Sequence, residues 1–261
     1  MPDRAPSDPE MLDPATHDGV RATLDRLHIF CDFDGTISTI DIGSNLFDRF
    51  GSRRAEHERR LMAGELPIRD YWRALAEGLR TPMTVEILDE YLRAIPIDEG
   101  FAELLAFARA EAIPFTVASD GFDLYIDRYL RLHGAGDVDI WCNHAELDAD
   151  GRMAMSFPHA TEGCACFSAA CKRNVVLLRA HPDERIVYIG DGISDYCPAE
   201  HADIIFAKCQ LAAYCNAHRL PHYPFTTLAD VARQLRLLLS KRRIRVRHQA
   251  ALKRKKAWEG E

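Results

Sequence analysis

The stretch Leu27-His28-Ile29-Phe30-Cys31-Asp32-Phe33-Asp34-Gly35-Thr36 limits what this chain can fold into more than any other part of it. Ile29 to Phe33 is a short apolar run rich in strand formers, the pattern of a parallel strand buried on both faces. It breaks abruptly into two acids around a Phe, followed by Gly and Thr. Side chains alternate in direction along a strand, so Asp32 and Asp34 can project toward one place at its carboxyl end. Two carboxylates that close repel each other unless a cation or a shared proton relieves them. A hard cation is the simplest relief, and Mg²⁺ takes one or two carboxylates plus substrate phosphate and water. Solvated acids in a turn are the alternative reading of the same residues.

Two later runs repeat this pattern. Phe115-Thr116-Val117-Ala118 ends in Ser119-Asp120-Gly121, and Arg185-Ile186-Val187-Tyr188-Ile189 ends in Gly190-Asp191-Gly192-Ile193-Ser194-Asp195. Val138 to Trp141 and Asp203 to Ala207 read as further strands, and Asp148-Ala149-Asp150-Gly151 as a hairpin turn between 145–147 and 153–155. Helical spacing fills the gaps: Phe101, Leu104, Leu105 and Ala108 behind a cap at Asp98, then 122–132, then 168–180 carrying Lys172, and a closing helix over Val231 to Leu239. Strands alternating with helices predict an α/β doubly wound parallel sheet, whose ligands sit at the carboxyl ends of the strands.

Between the first two strands, Leu46, Phe47 and Phe50, Leu61 and Met62, Tyr71, Trp72 and Leu75, and Val85 to Leu92 repeat at helical spacing. Gly51, Gly64 and Thr81-Pro82 separate them. The expected organisation is a loose leader over 1–20, a core from 21–40 and 98–240, a small helical cap over 41–97, and a basic tail over 241–261. The leader carries five acids and four prolines up to Asp18 with no apolar stretch, which fits neither a signal peptide nor an anchor. No segment reaches the roughly 20 uninterrupted apolar residues of a membrane helix. A cytoplasmic protein is the expectation.

Three strand ends bring Asp32, Asp34 and Thr36, Ser119, Asp120 and Gly121, and Asp191 and Asp195 toward one pocket, with Lys172 between the second and third. A phosphoryl group needs such a set: a nucleophile, a metal to neutralise charge, and hydroxyl, amide and ammonium contacts to its oxygens.

In this order, Asp32-Phe33-Asp34-Gly35-Thr36, Ser119, Lys172 and Gly190 to Asp195 resemble the four motifs of the haloacid-dehalogenase-like (HAD-like) phosphatases over Leu27 to Leu239. The helical insert resembles the cap of the phosphoserine-phosphatase-type subgroup. The resemblance implies a Rossmannoid core and a Mg²⁺-dependent hydrolase of small phosphomonoesters. It implies Asp32 as nucleophile forming an aspartyl-phosphate and Asp34 as general acid and base, with Lys172 offsetting charge. The metal would be held by Asp32, the Asp34 carbonyl and Asp191, with Asp195 adjacent as ligand or one step removed. Thr36, Asp41, Ser119, Asp120 and Gly121 would contact phosphate or substrate.

Tyr188 to Pro198 is similar to the phosphoethanolamine/phosphocholine phosphatases. Trp141 to Ala145 and Phe157 to Lys172 look like the methionine-salvage phosphatases that act on 2-hydroxy-3-keto-5-methylthiopentenyl-1-phosphate. Ser119-Asp120-Gly121 departs from the Ser-Gly-Gly of phosphoserine phosphatases, and Asp41 stands where those enzymes usually have Glu. Gly43 stands where the amine-phosphate group tends to carry an acid. The methionine-salvage type is therefore the leading expectation. Phosphoserine, phosphocholine or phosphoethanolamine hydrolysis is the alternative. Trp72, Tyr71, Phe47 and Arg69 of the cap could shape the substrate pocket or simply form its core.

Eight cysteines in a chain without a signal segment read as reduced thiols. Cys164, Cys166 and Cys171, with Cys142, His144 and His159, could bind zinc, but the spacing is not that of a zinc ribbon or finger, so thiols packing a loop beside the site is the preferred reading. The net charge of −7 hides a basic run from Lys241 through Lys256. It could touch nucleic acid, which would suit a non-enzymatic binding module. It lacks interleaved aromatics, so a solvated, partly helical tail is expected instead.

Overall fold

The computed structural model describes residues 26–260 apart from 81, 161–163, 165, 167 and 241–243. The expected leader, Thr81 and the first three residues of the basic run lie outside these. The first strand, β1 (Leu27–Cys31), leads into four helices: α1 (Ile42–Phe50), α2 (Arg54–Met62), α3 (Ile68–Glu77) and α4 (Val85–Arg93). Then follow α5 (Phe101–Ala110), β2 (Phe115–Phe122), α6 (Asp123–Leu132), β3 (Asp139–Leu147) and β4 (Met153–Ser156). After these come α7 (Lys172–Arg179), β5 (Arg185–Gly190), a 3₁₀ turn (Ile193–Asp195), α8 (Tyr196–His201) and β6 (Ile204–Ala207). The described chain closes with α9 (Cys209–Ala217), β7 (Tyr223–Pro224), α10 (Leu228–Ser240) and α11 (His248–Gly260).

The strands form one sheet in the order β4-β3-β2-β1-β5-β6-β7, parallel except for the β3–β4 hairpin. This is the expected Rossmann-like α/β fold. Register aligns the ends of the three central strands, Cys31 lying beside Val117 of β2 and Ile189 of β5. Alternation then sorts the side chains. Ile29, Cys31 and Phe33 enter the core shared with α5, α6, α10 and the helical insert, whereas Phe30 packs with Val175, Val176, Tyr188 and Ala199 on the other face. Asp32, one step beyond Cys31, falls on the Phe30 face, the face that α7 and α8 cover.

The helical insert leaves and returns at one point, where Ser38 and Ile97 form an antiparallel bridge and the Asp98 amide donates to the Ile37 carbonyl at 2.9 Å. Asp41 caps α1 by accepting from the Ser44 amide, and Thr84 caps α4 through the Ile87 amide. Inside, Trp72 meets Phe47, Tyr71 and Phe122, the last being the residue that ends β2. Apolar packing therefore seats the insert directly against the strand end that follows Ser119-Asp120-Gly121.

Three local expectations are corrected. Asp98 does not cap α5, whose cap is Gly100 with no side-chain bond. Its Oδ1 accepts from the Gly100 and Leu228 amides, joining α5 to α10. Helix α7 does not begin near Ser168 but at Lys172, because the Ala170 amide is taken by Asp120 Oδ1 at 2.7 Å and Cys171 is extended. The described part of the basic tail is partly helical as expected and largely exposed, but it is not wholly solvated. Helix α11 packs on α8, with Arg254 only 4% exposed and paired to Asp203 Oδ2 at 3.0 Å, and Trp258 Nε1 donating to the Leu177 carbonyl. Removing one partner of a buried pair strands the other, so Arg254→Ala is expected to cost about 3 kcal/mol. Urea denaturation checks this, and a change below measurement error would show the pair to be dispensable.

A second stability effect concerns His28 on β1, whose ring contacts Glu184 Oε2 at 3.0 Å and Thr116 Oγ1 at 2.9 Å. Burial lowers its pKa below 6.5, against the upward pull of Glu184. The unfolded chain then binds more protons than the folded one between the lowered value and 6.5, so the contribution of His28 to stability is lost as pH falls through that window. The stability gap between wild type and His28→Gln should therefore narrow from pH 7 to pH 5. A constant gap would contradict this.

Candidate active site

Asp32 begins the turn after β1, and its amide donates to the Ile189 carbonyl at 2.9 Å, which seats it beside Gly190-Asp191. Its Oδ1 accepts from Lys172 Nζ at 2.6 Å and from the Phe33 amide at 2.7 Å. Among the described residues no donor reaches Oδ2, which leaves that oxygen for a ligand. Burial and the charges of Asp195 and Asp191 push the Asp32 carboxyl well above its ordinary range, while Lys172 pulls it down.

Lys172 heads α7 and is 2% exposed, and its ammonium lies between Asp32 and Asp195 Oδ1 (2.7 Å). Burial alone would neutralise it, but the Asp195 and Asp32 carboxylates outweigh burial and hold it protonated. Asp195 is fully buried and saturated: Lys172 and Tyr188 Oη (2.6 Å) bond Oδ1, and the Asp191 and Gly192 amides bond Oδ2, each at 2.9 Å. It therefore ties Lys172 to the loop that carries Asp191. Carboxylate oxygens of Asp32, Asp191 and Asp195 lie within 4.8 Å of one another. Thr36 Oγ1 donates to Asp191 Oδ1 at 3.2 Å. Gly35, at φ +75°, lies so close to Asp191 that a Cβ would come 2.7 Å from Oδ2, so this turn needs glycine.

Asp34 turns toward the insert. Its Oδ1 accepts from the Ile42 amide at the start of α1 (2.7 Å) and its Oδ2 from Tyr125 Oη (3.0 Å). Burial, then the charge of Asp41, raises Asp34 to about 8, so it holds a proton at neutral pH. Gly121 is the neighbour on the other side, where a Cβ would collide with Tyr125 Oη and approach Asp34 Oδ2.

Ser119 is buried, and its Oγ accepts from the Gly121 amide at 3.0 Å. The Asp120 side chain is not aimed at the carboxylate cluster. It holds the Ala170 amide and meets Asn143 Nδ2, and burial raises it to about 7. Asp41 is also apart from the cluster: both its oxygens engage Ser44, at 2.7 and 2.9 Å, on the exposed start of α1.

A family described as "Putative Phosphatase" matches residues 27–214. The chain belongs to that phosphatase family. Consistent with this, a 2-hydroxy-3-keto-5-methylthiopentenyl-1-phosphate phosphatase of Geobacillus thermodenitrificans is 32% identical over 82% of this chain and 97% of its own length. An equally named protein of Bacillus cereus is 29% identical with the same coverage. The enzyme also shares its fold with solved structures. A phosphoserine phosphatase described as a phospho-aspartyl intermediate analogue aligns with TM-score 0.57 and 16% identity, over 83% of this chain and 99% of that one. A HAD family hydrolase of Salmonella enterica serovar Typhi aligns with TM-score 0.61 and 16% identity, over 84% and 79%. The protein is a HAD-like phosphatase that resembles the methionine-salvage group. No described helix is long and apolar enough to cross a membrane.

Three partners of this phosphatase's site were not anticipated. Tyr188 could have been found, since alternation in β5 puts it with Ile186 on the Phe30 face, under Asp32 and Asp195. Asn143, whose Nδ2 donates to the Asp120 carbonyl at 2.8 Å, lies within a segment already noted for its resemblance to the methionine-salvage group. Tyr125 gave no local signal, because only the packing of α6 against the insert brings it to Asp34.

Proposed function

We propose that this phosphatase hydrolyses a small phosphomonoester with Mg²⁺ through an aspartyl-phosphate on Asp32, and that its substrate is 2-hydroxy-3-keto-5-methylthiopentenyl-1-phosphate. One observation carries the reaction: a buried carboxylate on Lys172, with a free oxygen, stands near a second carboxyl that keeps its proton at neutral pH. The substrate rests on the names of the relatives.

Mg²⁺ fits the donor set. Asp32 and Asp191 supply hard oxygens, and their burial and mutual repulsion leave negative charge that a divalent cation relieves. Asp32, the backbone carbonyl of Asp34 and Asp191 would hold it, with Asp195 orienting Asp191 from behind. When bound, the ion offsets charge on the phosphoryl oxygens and lets the anionic nucleophile approach.

Asp32 Oδ2 attacks phosphorus, and the bond from phosphorus to the ester oxygen breaks. Asp34 gives its proton to the departing alkoxide, for which a pKa of about 8 suits it. Asp34, now a carboxylate, takes a proton from a water that attacks the phosphorus of the acyl phosphate. The bond to Asp32 breaks, releasing inorganic phosphate and restoring both carboxyl groups. Ser119 Oγ and the Asp120 amide hold phosphoryl oxygens, Lys172 steadies Asp32 throughout, and Thr36 orients Asp191. Because Asp34 is bonded to the first amide of α1, the lid helices that cover the substrate also align the acid. Closure over the bound ester would keep bulk water out until the leaving alcohol departs.

The test is phosphate release from a panel containing methylthiopentenyl phosphate, phosphoserine, phosphocholine and phosphoethanolamine, with and without EDTA. The expected result is Mg²⁺-dependent turnover with the methylthiopentenyl ester preferred by at least tenfold in kcat/KM. Preference for another ester would reassign the substrate. Activity indifferent to EDTA would overturn the metal.

A further inference from the structure

Apart from the oxygen cluster, the described residues contain one other group able to hold a metal, made of sulfur. The Sγ atoms of Cys164, Cys166 and Cys171 lie within 4.8 Å of one another. Cys197, from the first turn of α8, brings its Sγ to 3.4 Å from that of Cys164. All four are free thiols, buried or half-buried. The histidines and the cysteine that the sequence grouped with them are engaged elsewhere: His144 with Asp123 at 2.7 Å, His159 against the Trp141 ring, and Cys142 in the core. Cys197 supplies what the local spacing lacks. Cys-x-Cys-x₄-Cys offers three ligands from one segment, and the fourth comes from another element across the site.

We propose that Cys164, Cys166, Cys171 and Cys197 form a structural zinc site. Four thiolates in a tetrahedron around zinc stand about 3.8 Å apart, given a Zn–S bond of about 2.3 Å. The three clustered Sγ atoms and the Cys164–Cys197 approach match this scale, and Cys197 has to turn further toward Cys166 and Cys171 to close the tetrahedron. Thiolates select zinc, whereas the carboxylates of the active site select Mg²⁺, so the two centres do not compete for one metal. Each thiol that joins the ion releases its proton to solvent, and no oxidant or reductant is involved.

The position gives the site a purpose, which rests on the phosphatase reading. Cys171 is the cap of α7 and directly precedes Lys172, and Cys197 lies two residues beyond Asp195. Zinc would clamp together the two elements whose side chains make the 2.7 Å Lys172–Asp195 contact. Among the described residues ahead of α7, Cys171 N–H donates to the His159 carbonyl and Ala170 N–H to Asp120.

The experiment uses the untagged full chain, produced with zinc under reducing conditions and dialysed against EDTA. Mass spectrometry for metals should find about one zinc per chain, released by a mercurial that titrates thiols. Cys166→Ser and Cys197→Ser should each retain at least tenfold less, while Cys209→Ser, an exposed thiol outside the cluster, should match wild type. Should a variant fail to fold, wild type loaded with cobalt decides the matter by its thiolate-to-cobalt charge-transfer absorption. Stripping the zinc should lower the melting temperature, and adding it back should restore it. Wild type without zinc, equal retention in the serine variants, or an unchanged melting temperature would overturn the proposal. So would a Cys164–Cys197 disulfide in protein kept reduced. Metal content decides this question whatever the phosphate assay gives, so the two readings fail separately.

Discussion

Asp32→Asn lowers phosphate release by on the order of 10⁴-fold or more, as loss of a covalent nucleophile does, and leaves the protein folded. The two halves of this expectation have different causes. An amide oxygen is too weak a nucleophile for phosphorus, and no other carboxylate stands in the same place: Asp195 is saturated by four donors, and Asp34 holds its proton. Stability is spared because burial and the charges of Asp195 and Asp191 already penalise the ionised Asp32 carboxyl. A neutral isostere gives up the Lys172 contact but also ends that penalty. Single-turnover phosphate release and urea denaturation, run side by side, check both halves. A variant that keeps a tenth of the wild-type rate would remove Asp32 from the nucleophile's role, and one that unfolds would show the carboxylate to be structural.

Lys172→Met harms both stability and turnover. Methionine matches the length of the lysine stem but leaves Asp32 and Asp195 facing each other in a dry site without their cation. Breaking a buried ion pair in this way costs about 3–5 kcal/mol. The deficit depends on pH with a definite sign. Asp32 is already raised above its unfolded value, and without Lys172 it rises further. A group with a raised folded pKa adds its full share of stability below the unfolded value, and that share is lost as pH rises through the folded one. The variant should therefore lose most at pH 8 and recover toward pH 5.5, with EDTA present throughout to keep divalent cations from substituting for the ammonium. Equal deficits at the two pH values would mean that the carboxylates are not what the lysine compensates. Turnover should fall by at least 10²-fold, since on the proposed mechanism the Lys172 contact also holds Asp32 in line for attack.

Much of this site was legible in the chain. Apolar runs that end in Asp32-Phe33-Asp34, Ser119-Asp120-Gly121 and Asp191 to Asp195 announce buried parallel strands, because only the carboxyl end of such a strand can carry so much polarity. The order of the runs, with Lys172 between the last two, was enough to indicate the family. Other features gave local signals that pointed the wrong way. Asp98 looks like a helix cap but bonds Leu228 as well as Gly100, a contact across 130 residues. The basic run looks solvated, yet Arg254 within it is buried against Asp203 in the bend between α8 and β6.

The sequence by itself determined the parallel sheet, the converging acids and the helical insert, because alternation and periodicity are properties of neighbouring residues. Only the tertiary structure decided which oxygens are already taken, that Asp34 reaches the first amide of α1, that Tyr188 and Tyr125 complete the site, and that Cys197 comes up against Cys164 from a separate element. Those outcomes depend on which atoms from separate elements meet in space and on how far burial removes them from water. No local pattern encodes either.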